Sequence, residues 1–280
     1  MARGDESADN RTHYYLSFFS HTVKPTESVG VHFVGAGCGA PDLITLRGHR
    51  LLTQADVVIY AGSLVNPALL DNTKPGCEIH NSAEMTLEQV LSVMKAAEAA
   101  GKTTVRLHTG DPSIYGAIRE QIDQLAAEGI AYDVTPGVSS FCGAAASLCA
   151  EYTLPDVSQT VIITRMAGRT PEPEREEIAS LAAHHAAMVV FLSAGMLEGL
   201  RDRLLEGGYP ADTPAAIVYK ASWPDEKRVI GTVGELPELA RANGISKFAL
   251  ILVGDFLGKQ YSRSKLYDPT FAHGFRESVQ

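Results

Sequence analysis

The sequence predicts an α/β fold made of two α/β domains, and three observations carry that expectation. The chain is 280 residues long, enough for two such domains, each with its own core. From Val29 onward, short β-branched runs alternate with helix-period patterns, the pattern of βαβ units around a largely parallel sheet. Glycine-bearing loops follow the first and third of these runs directly, where an open parallel sheet places its ligand loops.

In the first half the expected strands are residues 29–34, 57–60, 104–109 and 131–135, each followed by Gly, Pro or Ser punctuation and then a helical stretch. The helix near Thr86 carries Gln89 three residues on, the spacing of a capping box, ahead of apolar Leu87, Val90, Leu91 and Met94. Pro136-Gly137 ends the fourth strand and opens a small-residue helix over 138–150. The domain boundary is placed there, giving domains at 29–137 and 138–258, an N-terminal extension at 1–28 and a tail at 259–280. The second half repeats the alternation, with strands near 161–164, 188–192, 215–219, 228–232 and 248–253, but without a matching Gly-rich first loop.

Composition removes several function classes. A formal net charge of -9 and a pI near 5.5 speak against broad attraction to nucleic acid or an anionic membrane. Apolar runs fall far short of the roughly 20 residues that cross a bilayer. Residues 1–28 carry Asp5, Glu6 and Asp9 and no sustained apolar segment, so a cytoplasmic protein without a secretory signal is expected. The four cysteines, Cys38, Cys77, Cys142 and Cys149, form no C-x-x-C pair and read as small apolar core residues. Adjacent His184 and His185 point to different helix faces, and no metal site is expected.

The chemistry is concentrated in three loops. The first, Gly35-Ala36-Gly37-Cys38-Gly39-Ala40-Pro41-Asp42, fits G-x-G-x-x-G/A and lets backbone approach a ligand closely. That pattern also suits a nicotinamide-dependent oxidoreductase or a plain tight turn. Against the oxidoreductase, the second strand ends Ile59-Tyr60-Ala61-Gly62, with no acidic residue to hold ribose hydroxyls; Asp56 lies at its beginning. The second loop, Thr109-Gly110-Asp111-Pro112-Ser113-Ile114-Tyr115-Gly116, also sits between a strand and a helix, although Asp-Pro alone commonly just opens a turn. The third, Thr135-Pro136-Gly137-Val138-Ser139-Ser140-Phe141, brings two hydroxyls and free amides to a helix start, where capping competes with ligand contact.

Taken in order, Val34-Gly35-Ala36-Gly37, Gly110-Asp111-Pro112 with Tyr115-Gly116, Pro136-Gly137-Val138-Ser139-Ser140 and Thr164-Arg165 resemble the tetrapyrrole (corrin/porphyrin) methylases over about residues 29–258. Cys38 and Ala40 depart from that family's loop, where proline and aspartate are usual. The stretches Val58-Ile59-Tyr60-Ala61-Gly62-Ser63-Leu64-Val65, Ala83-Glu84-Met85-Thr86, Tyr219-Lys220-Ala221-Ser222-Trp223-Pro224 and Ser262-Arg263-Ser264-Lys265-Leu266-Tyr267 are similar to the branch that methylates carbon 11 of precorrin-4 in cobalamin biosynthesis.

The resemblance implies an S-adenosylmethionine-dependent methyltransferase, active as a homodimer, with its site in the cleft between two domains of that family's type. It implies cofactor contacts at Gly37, Cys38, Thr109, Gly110, Asp111, Ile114, Tyr115, Ser139, Ser140, Leu192, Ala221 and Ala249. A tetrapyrrole carries several carboxylates, so basic residues are expected at the cleft rim: Arg47, Arg119, Arg165, Arg169 and Lys220. Each also reads as an ordinary solvated charge. No catalytic residue is assigned. Three readings remain beside the leading one: methylation of a cobalt-loaded intermediate or another tetrapyrrole carbon, the nicotinamide oxidoreductase, and a non-catalytic tetrapyrrole carrier.

Overall fold

The computed structural model describes residues 30–168 and 170–278. The expected N-terminal extension, the first residue of the first expected strand, and Arg169 lie outside the described residues.

Two five-stranded sheets form two α/β domains. The first contains β1 (Val31–Gly35), β2 (Val57–Tyr60), β3 (Glu78–Asn81), β4 (Thr104–His108) and β5 (Tyr132–Thr135) in the order β3-β2-β4-β1-β5, every pair parallel. Alternate residues of its strands serve opposite faces. Val34, Val58, Val105 and Leu107 pack with Leu51 and Leu52 of α1 (Leu46–Gln54). Val31, Phe33, Val57 and Ile59 pack with Val90, Leu91 and Met94 of α2 (Leu87–Ala99) and Leu125 of α3 (Arg119–Ala127). Each fully buried side chain of this size contributes roughly 1.5–3 kcal/mol. The expected capping box starts α2: Gln89 N donates to Thr86 Oγ1 at 3.4 Å and Thr86 N to Gln89 Oε1 at 2.8 Å.

The second sheet contains β6 (Val161–Arg165), β7 (Ala187–Phe191), β8 (Pro214–Tyr219), β9 (Lys227–Thr232) and β10 (Ala249–Val253) in the order β6-β7-β10-β8-β9. Helix α4 (Ser140–Leu148) covers one face through Ala144 and Ala145. The other face carries α5 (Ile178–Ala182), α6 (Leu197–Glu206) and α7 (Leu236–Ala242).

Three expectations need correction. Only β6 and β7 run parallel in the second sheet; β10 is antiparallel to β7 and β8, and β8 to β9. Residues 220–226 turn β8 straight back into β9 without a helix, and an antiparallel pair needs no more than a turn. Strand β3 is absent from the sequence reading because Glu78-Ile79-His80-Asn81 is a mostly polar edge strand. Of the cysteines only Cys38 is buried; Cys142 and Cys149 are exposed, Cys149 as a left-handed cap (φ 51°) ending α4. No helix among the described residues is long and apolar enough to cross a membrane.

Candidate functional site

Strands β4, β1 and β5 are neighbours, so the three loops leave the same sheet edge side by side. They meet backbone to backbone. A Cβ on Gly35 would stand 2.5 Å from Gly137 Cα and 2.6 Å from Gly110 O, and one on Gly137 would stand 2.1 Å from Gly110 O. Gly37 N donates to Gly110 O at 3.3 Å and Gly110 N to Gly37 O at 3.0 Å, with both residues at positive φ (83° and 62°), where glycine costs least.

Asp111 fastens this junction. Its Oδ1 accepts from the amide and hydroxyl of Ser113, and its Oδ2 accepts from Gly137 N at 2.9 Å. Burial alone would raise the carboxyl's pKa; the hydrogen bonds from Ser113 and Gly137 outweigh it and hold the group below the usual carboxylate range. Beyond Asp111 the chain turns sharply, with Tyr115 at φ 55° and Ala117 at φ 49°. Such conformations cost about 1–2 kcal/mol per residue and persist where surrounding contacts enforce them. Here the Tyr115 ring lies against Phe191 of β7, with centroids 5.4 Å apart.

The opposing wall comes from the second sheet. Because β7, β10 and β8 are adjacent and alternate in direction, the ends of β7 and β8 and the start of β10 lie together. Each junction carries a left-handed residue: Leu192 (φ 54°), Lys220 (φ 47°) and Phe248 (φ 58°). Between the two sheets lies a cavity of about 630 Å³, a size suited to a nucleoside-sized molecule. Thr109, Ser140, Ser63 and Leu64 line it from one side, and Phe191, Leu192, Ala221, Trp223, Phe248 and Ala249 from the other.

A tie joins the first loop to the turn after β8. Ala40 N donates to Ser222 Oγ at 2.9 Å, and Cys38 Sγ is 3.5 Å from the same hydroxyl. Ser222 N donates to Glu226 Oε2 at 2.6 Å, and Ser147 Oγ of α4 to Glu226 Oε1 at 2.6 Å. Trp223 seats directly on Gly39, where a Cβ would stand 2.3 Å from the indole.

Of the residues expected at the cofactor, Thr109, Ser140, Leu192, Ala221 and Ala249 line the cavity. Gly37, Cys38, Gly110 and Asp111 form the structural junction and tie just described. Ser139 is the buried N-cap residue of α4, Ile114 packs against the second sheet's core, and Tyr115 touches Phe191.

The expected basic rim is less coherent. Lys220 lines the cavity, with Nζ 2.7 Å from Asp225 Oδ2 and 5.2 Å from the Trp223 ring. Arg165 turns its guanidinium onto the carbonyls of Met166, Thr170 and Pro171, bracing the loop after β6. Arg47 is exposed on α1 and Arg119, on α3, donates to Asp123; neither lines the cavity. Ser222, Trp223, Phe191 and Phe248 are absent from the sequence-based site. The only signal for two of them is the chain's single tryptophan inside the Tyr219-to-Pro224 stretch.

The cavity suits an adenosyl group. Its wall is largely apolar, and Thr109, which lines it, carries a buried hydroxyl without a partner. No group of three or more potential metal ligands occurs among the described residues.

Comparison with known proteins agrees with this geometry. A family model described as Tetrapyrrole (Corrin/Porphyrin) Methylases matches residues 30–237. The cobalt-precorrin-4 C(11)-methyltransferase of Methanocaldococcus jannaschii is 54% identical over 249 residues, covering 89% of this chain and 96% of the relative. The precorrin-4 C(11)-methyltransferase of Pseudomonas aeruginosa is 44% identical over 247 residues, covering 88% and 98%. Among solved structures, a cobalt precorrin-4 methyltransferase superposes with a TM-score of 0.80 at 47% identity, covering 82% of this chain and 96% of that one. A uroporphyrin-III C-methyltransferase from Thermus thermophilus, complexed with S-adenosylhomocysteine, superposes with a TM-score of 0.66 at 26% identity, covering 82% and 93%.

Proposed function

The chain belongs to the tetrapyrrole (corrin/porphyrin) methylases, and from that membership we propose that it transfers a methyl group from S-adenosylmethionine to carbon 11 of precorrin-4 in cobalamin biosynthesis. The products are precorrin-5 and S-adenosylhomocysteine. The observation that carries this reading is the apolar cavity between the two sheets, which two of the motif-bearing loops reach through Thr109 and Ser140.

S-adenosylmethionine supplies an electrophilic methyl group on a sulfonium that becomes neutral as the methyl leaves. The protein's work is therefore alignment and exclusion of water. Leu192, Ala221 and Ala249 flank the adenosyl group, and the Thr109 hydroxyl gives it a buried hydrogen-bonding partner. Asp111 acts through Ser113 and Gly137, keeping the loops in register. Lys220 and the Arg165-braced loop meet substrate carboxylates at the rim. The change of sheet after Thr135 supports a domain boundary near residue 137. The protein works in the cytoplasm as a homodimer, which light scattering tests by finding twice the 30.0 kDa chain mass.

A second reading, cobalt-precorrin-4 as the substrate, is favoured by the name of the 54% identical relative. Calorimetric titration with S-adenosylhomocysteine and, in parallel, NADH tests the class: binding of the first alone supports a methyltransferase, and binding of NADH alone overturns it. Supplying metal-free and cobalt-loaded precorrin-4 and analysing the methylated product then separates the two substrates.

A further inference from the structure

Arg106 sits in the middle of β4, 7% exposed, and no carboxylate pairs with it among the described residues. Burying an unpaired guanidinium costs several kcal/mol, which a methionine of similar length would avoid. Burial lowers its pKa to about 10, so it remains charged at neutral pH.

Its hydrogen bonds lead toward the site. Arg106 Nη1 donates to Ile59 O of β2 at 3.2 Å, and Nε donates to Gln121 Oε1 at 3.2 Å. Gln121, 4% exposed on α3, in turn donates from Nε2 to Ala117 O at 2.9 Å. Ala117 ends the turn that carries Tyr115, and both residues are left-handed. The N-cap of α3, Ile118, has no side-chain cap, and Ile118 packs against the first sheet's core, so the Gln121 bond joins that packing and the Tyr115–Phe191 contact in holding this stretch. The guanidinium thus links the rigid centre of the first sheet to the strained turn that meets Phe191.

We infer that Arg106 is a positioning residue for the S-adenosylmethionine site, acting through Gln121 to hold the Tyr115 turn against the second sheet. The inference rests on the cofactor reading proposed above. It also explains why a buried strand keeps a costly cation where an apolar side chain would pack.

The test is calorimetric titration with S-adenosylhomocysteine on variants whose folding is verified by circular dichroism. Gln121→Leu and Arg106→Met are each expected to weaken binding about tenfold, with Arg106→Lys recovering part of the loss. In a Tyr115→Ala background, adding Gln121→Leu is expected to change affinity by less than about twofold, because the turn no longer delivers its contact. Should Arg106→Met fail to fold, the Gln121→Leu cycle decides alone. Affinity within about twofold of wild type for Gln121→Leu, or an undiminished loss in the Tyr115→Ala background, overturns the inference. Absence of binding by the wild-type protein instead removes the cofactor reading itself.

Discussion

The backbone N–H of Ala40 donates to the Ser222 hydroxyl at 2.9 Å, joining residues 182 positions apart in sequence and attached to different sheets. Ser222→Ala leaves that part-buried amide without its acceptor, at a cost of about 1–3 kcal/mol. If about 1 kcal/mol of that cost is felt at the cavity, S-adenosylhomocysteine affinity falls about fivefold. Calorimetry measures it; unchanged affinity would show that the tie does not shape the cavity.

Gly137→Ala places a methyl group against a carbonyl oxygen that cannot yield, since the Cβ would stand 2.1 Å from Gly110 O. The loops must separate, so we expect a loss of about 3 kcal/mol or more and no detectable S-adenosylhomocysteine binding. Gly101→Ala is the control. It has nothing within 4 Å, and its φ of +67° costs only about 1–2 kcal/mol. Chemical denaturation compares the two.

Arg165→Ala releases three loop carbonyls without touching the cavity wall. The expected result is a KM for the tetrapyrrole raised about tenfold with S-adenosylhomocysteine affinity unchanged. A parallel loss of both would place the residue's effect at the cofactor instead.

His108 is 3% exposed on β4, its pKa lowered to about 3 by burial and then by the Arg106 charge. Between that value and the unfolded one near 6.5, the unfolded chain binds the extra proton and the native protein does not. Stability is therefore fully present above about pH 6.5 and falls as pH drops through this window, by at most about 1.4 kcal/mol per pH unit. His108→Gln should flatten the slope, measured as denaturation midpoints from pH 7 to 4. Asp111, also depressed, adds its loss below its unfolded value of 3.8.

The three loops are legible in sequence because glycine and proline at strand ends constrain the backbone locally, as Gly35, Gly110 and Gly137 do. Trp223 and Phe248 are not legible as site residues. They reach the cavity only because β8 and β10 run antiparallel, and strand direction depends on the connection rather than on the strand's own residues. Arg106, between Val105 and Leu107, reads as the outward face of an alternating strand, whereas β4 is central and covered on both sides. Arg47 and Arg119 stand outside the cavity lining for a related reason: spacing places a charge on a helix without saying which way that helix turns it.

Strand β1 is the first described strand in the chain, yet its only neighbours are β4 and β5. During synthesis it emerges with both edges open and stays so until Thr104–His108 follows, and its second edge is covered only once Tyr132–Thr135 has been made. The β8–β9 hairpin, by contrast, can close with residues 214–232 alone. A nascent chain stalled before Thr135 would leave one edge of β1 unpaired, so we expect the first sheet to be assembled late relative to its own first strand, while the β8–β9 hairpin closes as soon as its residues are made.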